Sequence, residues 1–152
     1  MSDFKRDSEE LDTRNLQVGN LLWNDQDGDF CFVTAIDHND FFVRNVSNGK
    51  VWLNKCLEIP ISPVPITEPY LRGLGFIQSR PKELIFLISY HGRYHYLEKD
   101  DSFSWWYVFY VDGKPIKINQ HELIYVHQIQ NLYYQLTNKL LTYDETKEYP
   151  TE

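Results

Sequence analysis

Cysteine is scarce in this 152-residue sequence. Cys31 and Cys56 are the only two, so at most one bridge could form and no disulfide framework holds the fold. A reducing cytoplasm is the expected setting. No run reaches the ~18 apolar residues of a membrane-spanning helix, and the opening MSDFKRDSEELDTR has no apolar segment of the signal-peptide kind. No membrane partner is expected. A basic excess is missing too: 15 Lys and Arg stand against 22 Asp and Glu, a net charge of −7, opposite to the footprint of a duplex-binding protein. The acids collect at the ends. Residues 1–15 carry five acids and three bases, and 142–152 carry four acids and one base, which leaves −2 on the body. Both ends read as solvated, disordered tails; the alternative weighed is an imitation of nucleic-acid phosphate.

What the chain has in plenty is aromatic rings: four Trp, eleven Tyr and nine Phe, 16% of the residues. Large rings supply much apolar area per residue and favour strands. They are also enriched where proteins bind one another. Residues 16–58 read as a small lobe of short strands. Leu16–Trp23 opens it, the cluster 24–29 turns, and Phe30–Ile36 alternates, with Cys31, Val33 and Ala35 on one face. His38-Asn39-Asp40 turns again, Phe41–Val46 returns, and Asn48-Gly49 leads into Val51–Leu53. Four strands with tight turns predict a small SH3-like or similar partly open barrel. Residues 59–66 hold prolines 60, 63 and 65 and read as a stiff extended connector outside any ladder.

Residues 67–141 read as a second segment. Thr67 suits an N-cap before a helix of about two turns, with Gly75 at its left-handed end. Leu84–Tyr90, a His91-Gly92 turn and Arg93–Leu97 form a predicted hairpin. Phe103–Val111 is apolar on both faces, which places it centrally in a sheet; Asp112-Gly113 then turns into Lys114–Ile118. A closing helix follows, starting somewhere in 119–127, with Leu123, Val126, Ile129, Tyr133, Leu136 and Leu140 as the stripe that lies on the sheet. The predicted class is α+β: a barrel-like lobe, a short helix, then an antiparallel sheet covered by a C-terminal helix.

Two stretches resemble a known family. Residues 64–76, VPITEPYLRGLGF, are similar to the "PIPLTEEWLLKFGF" segment of a family of small uncharacterised proteins from bacteriophages and prophages of the Bacteroidota. Residues 125–141, YVHQIQNLYYQLTNKLL, resemble that family's closing "YVHQLQNLYFALTGEEL", and LQVGNLLW at 16–23 is similar to its "LRIGNLV" opening. Asn138 stands where the family commonly has Gly; Asn tolerates the same left-handed conformation. The resemblance implies a phage or prophage setting inside the bacterial cell. It implies no reaction, cofactor or catalytic residue.

The residues offer little chemistry. His91 and His95 are four apart but straddle a predicted turn, and His38, His121 and His127 could join them only through tertiary contact. No thiolate pair has zinc spacing. Asp25, Asp27 and Asp29 faintly suggest a calcium loop, but Ile36 stands where its closing Glu belongs. Ser102 and Ser104 lie in no nucleophile-elbow pattern, Cys31 reads as a buried, inert thiol, and Gly73-x-Gly75 ends a helix instead of opening one. No metal, cofactor or catalytic residue is assigned, and a non-enzymatic protein is expected. Binding remains. The polar side of the closing helix, with His127, Gln128, Asn131, Tyr134 and Gln135, is rich in amides and poor in charge. Such a side serves either as a partner surface or for packing within the chain. Trp106 and Tyr110, on the second face of the apolar strand, pose the same choice. The expected partner is a host or phage protein, with inhibition of a host system fitting that setting. The alternatives are a nucleic-acid-binding module using Arg44, Lys50, Trp52 and Lys55 on the barrel, and a small enzyme of unknown chemistry.

Overall fold

Turn residues cut the chain into short antiparallel strands. The structure is a computed structural model, and it describes residues 15–37, 40–54, 60–79 and 84–148. Its class is α+β, with two five-stranded antiparallel sheets and few helices. The chain divides into two compact units: residues up to Pro65 together with Tyr125–Leu132, and Ile66–Ile124 together with the residues from Tyr133 on.

In the first unit, β1 (Leu21–Asn24), β2 (Asp29–Asp37), β3 (Asp40–Asn45) and β4 (Val51–Asn54) form a meander. A register shift between Val33 and Ala35 interrupts β2. Such an extra residue re-aims the side chains beyond it, and the burial of Cys31 and Val33 gives way to exposure at Ala35 and Ile36. Leu16, Leu22, Cys31, Val33, Phe41, Val43 and Ile61 make the core, with Trp52 packed on its margin. The proline-rich connector departs from expectation. Ile61–Pro63 is a strand, β5, paired with β1 as Leu22↔Pro63, Trp23↔Ser62 and Asn24↔Ile61. Because β5 is the outermost strand, the missing proline N–H costs no ladder bond. The sheet order is β4-β3-β2-β1-β5, and its edges β4 and β5 are not register partners, so the sheet is not closed.

The second unit begins with α1 (Glu68–Gly73). Thr67 caps it, its hydroxyl accepting from the Tyr70 N–H at 3.3 Å, and Gly75 follows at φ +103°. The second sheet is ordered β10-β9-β8-β7-β6, from β6 (Ile77–Gln78), β7 (Ile85–Tyr90), β8 (Arg93–Lys99), β9 (Trp105–Val111) and β10 (Lys114–Lys117). His91-Gly92 and Asp112-Gly113 take φ of 50° and 77°, and 52° and 76°. Left-handed pairs of this kind twist with the strands they join. The apolar strand β9 is interior but second from the edge. Its Trp105, Tyr107 and Val108 are buried.

The closing helix, α2, is Val126–Thr137. Leu123 precedes it in an isolated bridge to Trp105. The Gln128 side chain accepts from the Tyr125 N–H at 2.9 Å, one half of a capping box. Asn138 closes it at φ +58°. Of the expected stripe, Val126, Ile129 and Tyr133 are buried while Leu136 is exposed. Tyr133 alone of those three groups with the second sheet's unit; residues 125–132, expected there, group with the first sheet. The C-terminal stretch also differs from a solvated tail. Residues 145–147 form a 3-10 turn capped by Asp144, whose N–H donates to the Gly73 carbonyl at 2.8 Å, and the Tyr143 ring lies edge-on to Tyr70. Gly73 leaves room for that ring: a Cβ there would stand 2.8 Å from Tyr143 Cδ1. The other expected tail, 1–15, lies outside the described residues but for Asn15.

Candidate binding surfaces

The amide side of α2 is occupied within its own chain. Asn131 Oδ1 accepts from the Asn20 side chain at 2.8 Å, and its Nδ2 donates to the Asn15 carbonyl at 2.6 Å. Gln128 caps the helix, and His127 is buried with its ring stacked 5.8 Å from Tyr125. Gln130, which the sequence reading passed over, is the most deeply engaged. It is 1% exposed, takes the Leu21 N–H at 2.8 Å and gives a hydrogen bond to the Gly19 carbonyl at 3.1 Å. These amides complete the main chain of residues 15–21, which β5 does not reach. Only Tyr134 and Gln135, of the five residues expected to form this surface, are exposed.

The basic-aromatic patch on the first sheet divides. The register pairs Arg44 with Val51 and Val43 with Trp52, so Arg44 and Trp52 lie on opposite faces of the pleat. Lys50 stacks on Trp52 at 4.1 Å, but the indole N–H is given to Asp27 at 2.8 Å, which brings a carboxylate to the same place. Lys55 lies outside the described residues. The three aspartates of the 24–29 turn are all tied down. Asp25 bonds Ser62, Asp27 also accepts from Asn45 at 2.6 Å, and Asp29 accepts from the Ser47 hydroxyl and N–H. Burial, then these three carboxylates, push the Cys31 thiol up to about 12, so Cys31 is not a thiolate at neutral pH.

On the second sheet the histidines separate. His91 sits in the turn, whereas His95 is buried, its Nδ1 2.7 Å from the Tyr107 hydroxyl and its ring 5.4 Å from Tyr133. Burial, then the charge of Arg93, lower its pKa, so it is neutral at physiological pH. The Tyr107 phenol is driven well above its ordinary value by burial. Among the described residues no three His, Cys, Asp or Glu side chains gather as a metal-binding group. No described helix is long and apolar enough to cross a membrane.

The other face of this sheet carries rings at the surface. Alternation puts Tyr94 and Tyr96 of β8 beside Trp106, Val108 and Tyr110 of β9 and Lys117 of β10. Tyr94 is 54% and Tyr110 41% exposed. Each ring is held. Tyr96 meets Tyr110 edge-on at 4.8 Å and Tyr94 at 6.3 Å, and the Tyr110 hydroxyl bonds Glu98. The Trp106 indole donates to Asp100 at 2.8 Å beneath the Lys117 ammonium, 4.0 Å from its centroid. Asp100 also accepts the Ser102 and Ser104 N–H groups. These bonds, that of Ser104 first, hold its carboxyl below the usual range, so it stays ionised. Sequence reasoning named Trp106 and Tyr110 but missed Tyr94 and Tyr96, which the alternation Arg93–Lys99 alone would have added. No family model, curated protein or solved structure matches the chain.

Proposed function

We propose that the protein is a non-enzymatic binding protein, a phage or prophage accessory protein of the bacterial cytoplasm, whose partner is a host or phage protein. Its contact surface on this reading is the outer face of the second sheet, centred on Tyr94, Tyr96, Trp106 and Tyr110. The observation that carries the proposal is the fixing of exposed rings by one another and by Glu98 and Asp100. Rings already immobile lose little entropy on contact, and Tyr and Trp dominate binding hot spots. The amides of α2 do not support the same role, because most are engaged internally. For the first sheet, the finer reading remains a small SH3-like barrel. A meander whose fifth strand returns beside the first, with an interrupted long β2, fits that architecture.

Affinity capture from a Bacteroidota lysate tests the proposal. Wild type and Gln135→Ala should retain one common protein that Tyr94→Ser/Tyr110→Ser does not, with far-UV circular dichroism unchanged in all three. Equal retention by the tyrosine variant would remove this face from the account.

A further inference from the structure

We propose that Arg93 marks where the partner presents a carboxylate, so that the docking segment is a stretch of protein with a single Asp or Glu at that point; this rests on the surface reading above. β8 and β9 are register partners from Lys99↔Trp105 to Tyr96↔Val108. Beyond that pair, residues 93–95 are partnered only by β7 and residues 109–111 only by β10. Where the ladder stops, each face of the sheet is hollowed. A cleft of about 270 Å³ opens beside Tyr94, Tyr96 and Tyr110, and one of about 260 Å³ beside Tyr90 and His95. Arg93 and Phe109 border both.

The guanidinium of Arg93 lies 5.8 Å from the Phe109 ring centroid, and among the described residues it has no ion pair. Arg72 differs, meeting Glu68 at 3.8 Å. Neither the acid of its own strand nor that of the turn after β9 pairs with it. Glu98 lies five residues along the same strand, roughly 16 Å away, and bonds the Tyr110 hydroxyl; Asp112, in the turn after β9, forms no ion pair with Arg93. His95, neutral or cationic, offers no negative charge in either protonation state. On the inner side the Lys139 ammonium, 5.8 Å from the Tyr90 centroid, adds a second cation. A planar guanidinium beside a ring and without a carboxylate is suited to bidentate pairing with one.

A protein segment fits better than a nucleic acid. A polyanion would meet the repulsion of a chain at −7 with every phosphate, whereas one carboxylate needs only one fork of donors. Strand addition is a poor alternative, since the edge strand β10 carries Lys114, Pro115 and Lys117. Recognition is then by side chains, an acid on Arg93, which alternation sets on the face of His95 and Phe109 at the margin of both clefts, and apolar groups among the tyrosines across that margin.

A random dodecapeptide display library selected on the immobilised protein, followed by anisotropy measurements on synthetic peptides, tests this. Selected peptides should share an Asp or Glu, and their affinity should fall about tenfold or more on Arg93→Gln, with Arg93→Lys intermediate and raised salt weakening wild type most. Peptides without an acid, or acidic peptides bound equally by Arg93→Gln, would overturn the inference. If those peptides still require Tyr94 and Tyr110, the surface reading survives; if selection enriches nothing, both fail. Binding of oligothymidylate that Arg93→Gln abolishes, with no acidic peptide selected, would assign the cleft to nucleic acid and overturn it as well.

Discussion

Replacing Gln130 by Met isolates what the buried amide of α2 contributes. Methionine keeps the length and fills the space, but it neither accepts from Leu21 nor donates to Gly19. The Leu21 N–H belongs to a residue 1% exposed, and leaving such a donor without an acceptor costs about 1–3 kcal/mol. The Gly19 carbonyl is only half-buried and can turn to water, so its loss adds roughly 0.5 kcal/mol. Burying a thioether in place of an amide returns part of this, leaving a net destabilisation of about 2 kcal/mol. Urea unfolding followed by tryptophan fluorescence should show the midpoint falling with an unchanged m-value. Gln135→Met, on the exposed side of the same helix, should stay within about 0.5 kcal/mol of wild type. If Gln130→Met also stayed within that range, the view of these amides as completing the main chain would be wrong.

Gly73→Ala should lower stability by about 1–2 kcal/mol, because the new methyl meets the Tyr143 ring and outweighs the better helix propensity of Ala. The same substitution in a Tyr143→Ala background should be neutral or stabilising, and equal effects in both backgrounds would refute the contact. Because His95 is depressed in the folded state, the unfolded chain takes its proton first. Its contribution is therefore complete above the unfolded value of 6.5 and declines as pH falls below it towards the folded value, by no more than about 1.4 kcal/mol per pH unit. His95→Gln should flatten the stability profile just below about pH 6.5, and an unchanged slope would contradict the assignment. In a Cys56→Ser background, Cys31 should resist a disulfide reagent at mildly alkaline pH until urea unfolds the chain; prompt labelling of the folded protein would show the thiol accessible.

Local signals were the legible part of this fold. His91-Gly92, Asp112-Gly113, Thr67 and Asn138 each impose a backbone choice within a few residues, and each stands where its chemistry suggests. Residues 59–66 misled because proline forbids an interior strand but not an outermost one, and sequence does not say which strand is outermost. Packing of residues 143–148 on α1 depends on the absence of a side chain at Gly73, which leaves no pattern to find. Gln130 looked like any other polar helix position. The division of Arg44 from Trp52 was readable in advance: a loop of two or four residues around Asn48-Gly49 pairs even positions with odd ones, so two even positions cannot be on the same side of paired strands.

The most direct test is the affinity of the captured partner for purified wild type, Tyr94→Ser/Tyr110→Ser and Gln135→Ala, measured side by side by calorimetry. The account predicts a loss of about thirtyfold or more for the tyrosine pair, as for one hot spot of at least 2 kcal/mol, and none for Gln135→Ala. A partner that binds the tyrosine variant as tightly as wild type, or that Gln135→Ala releases, would contradict it.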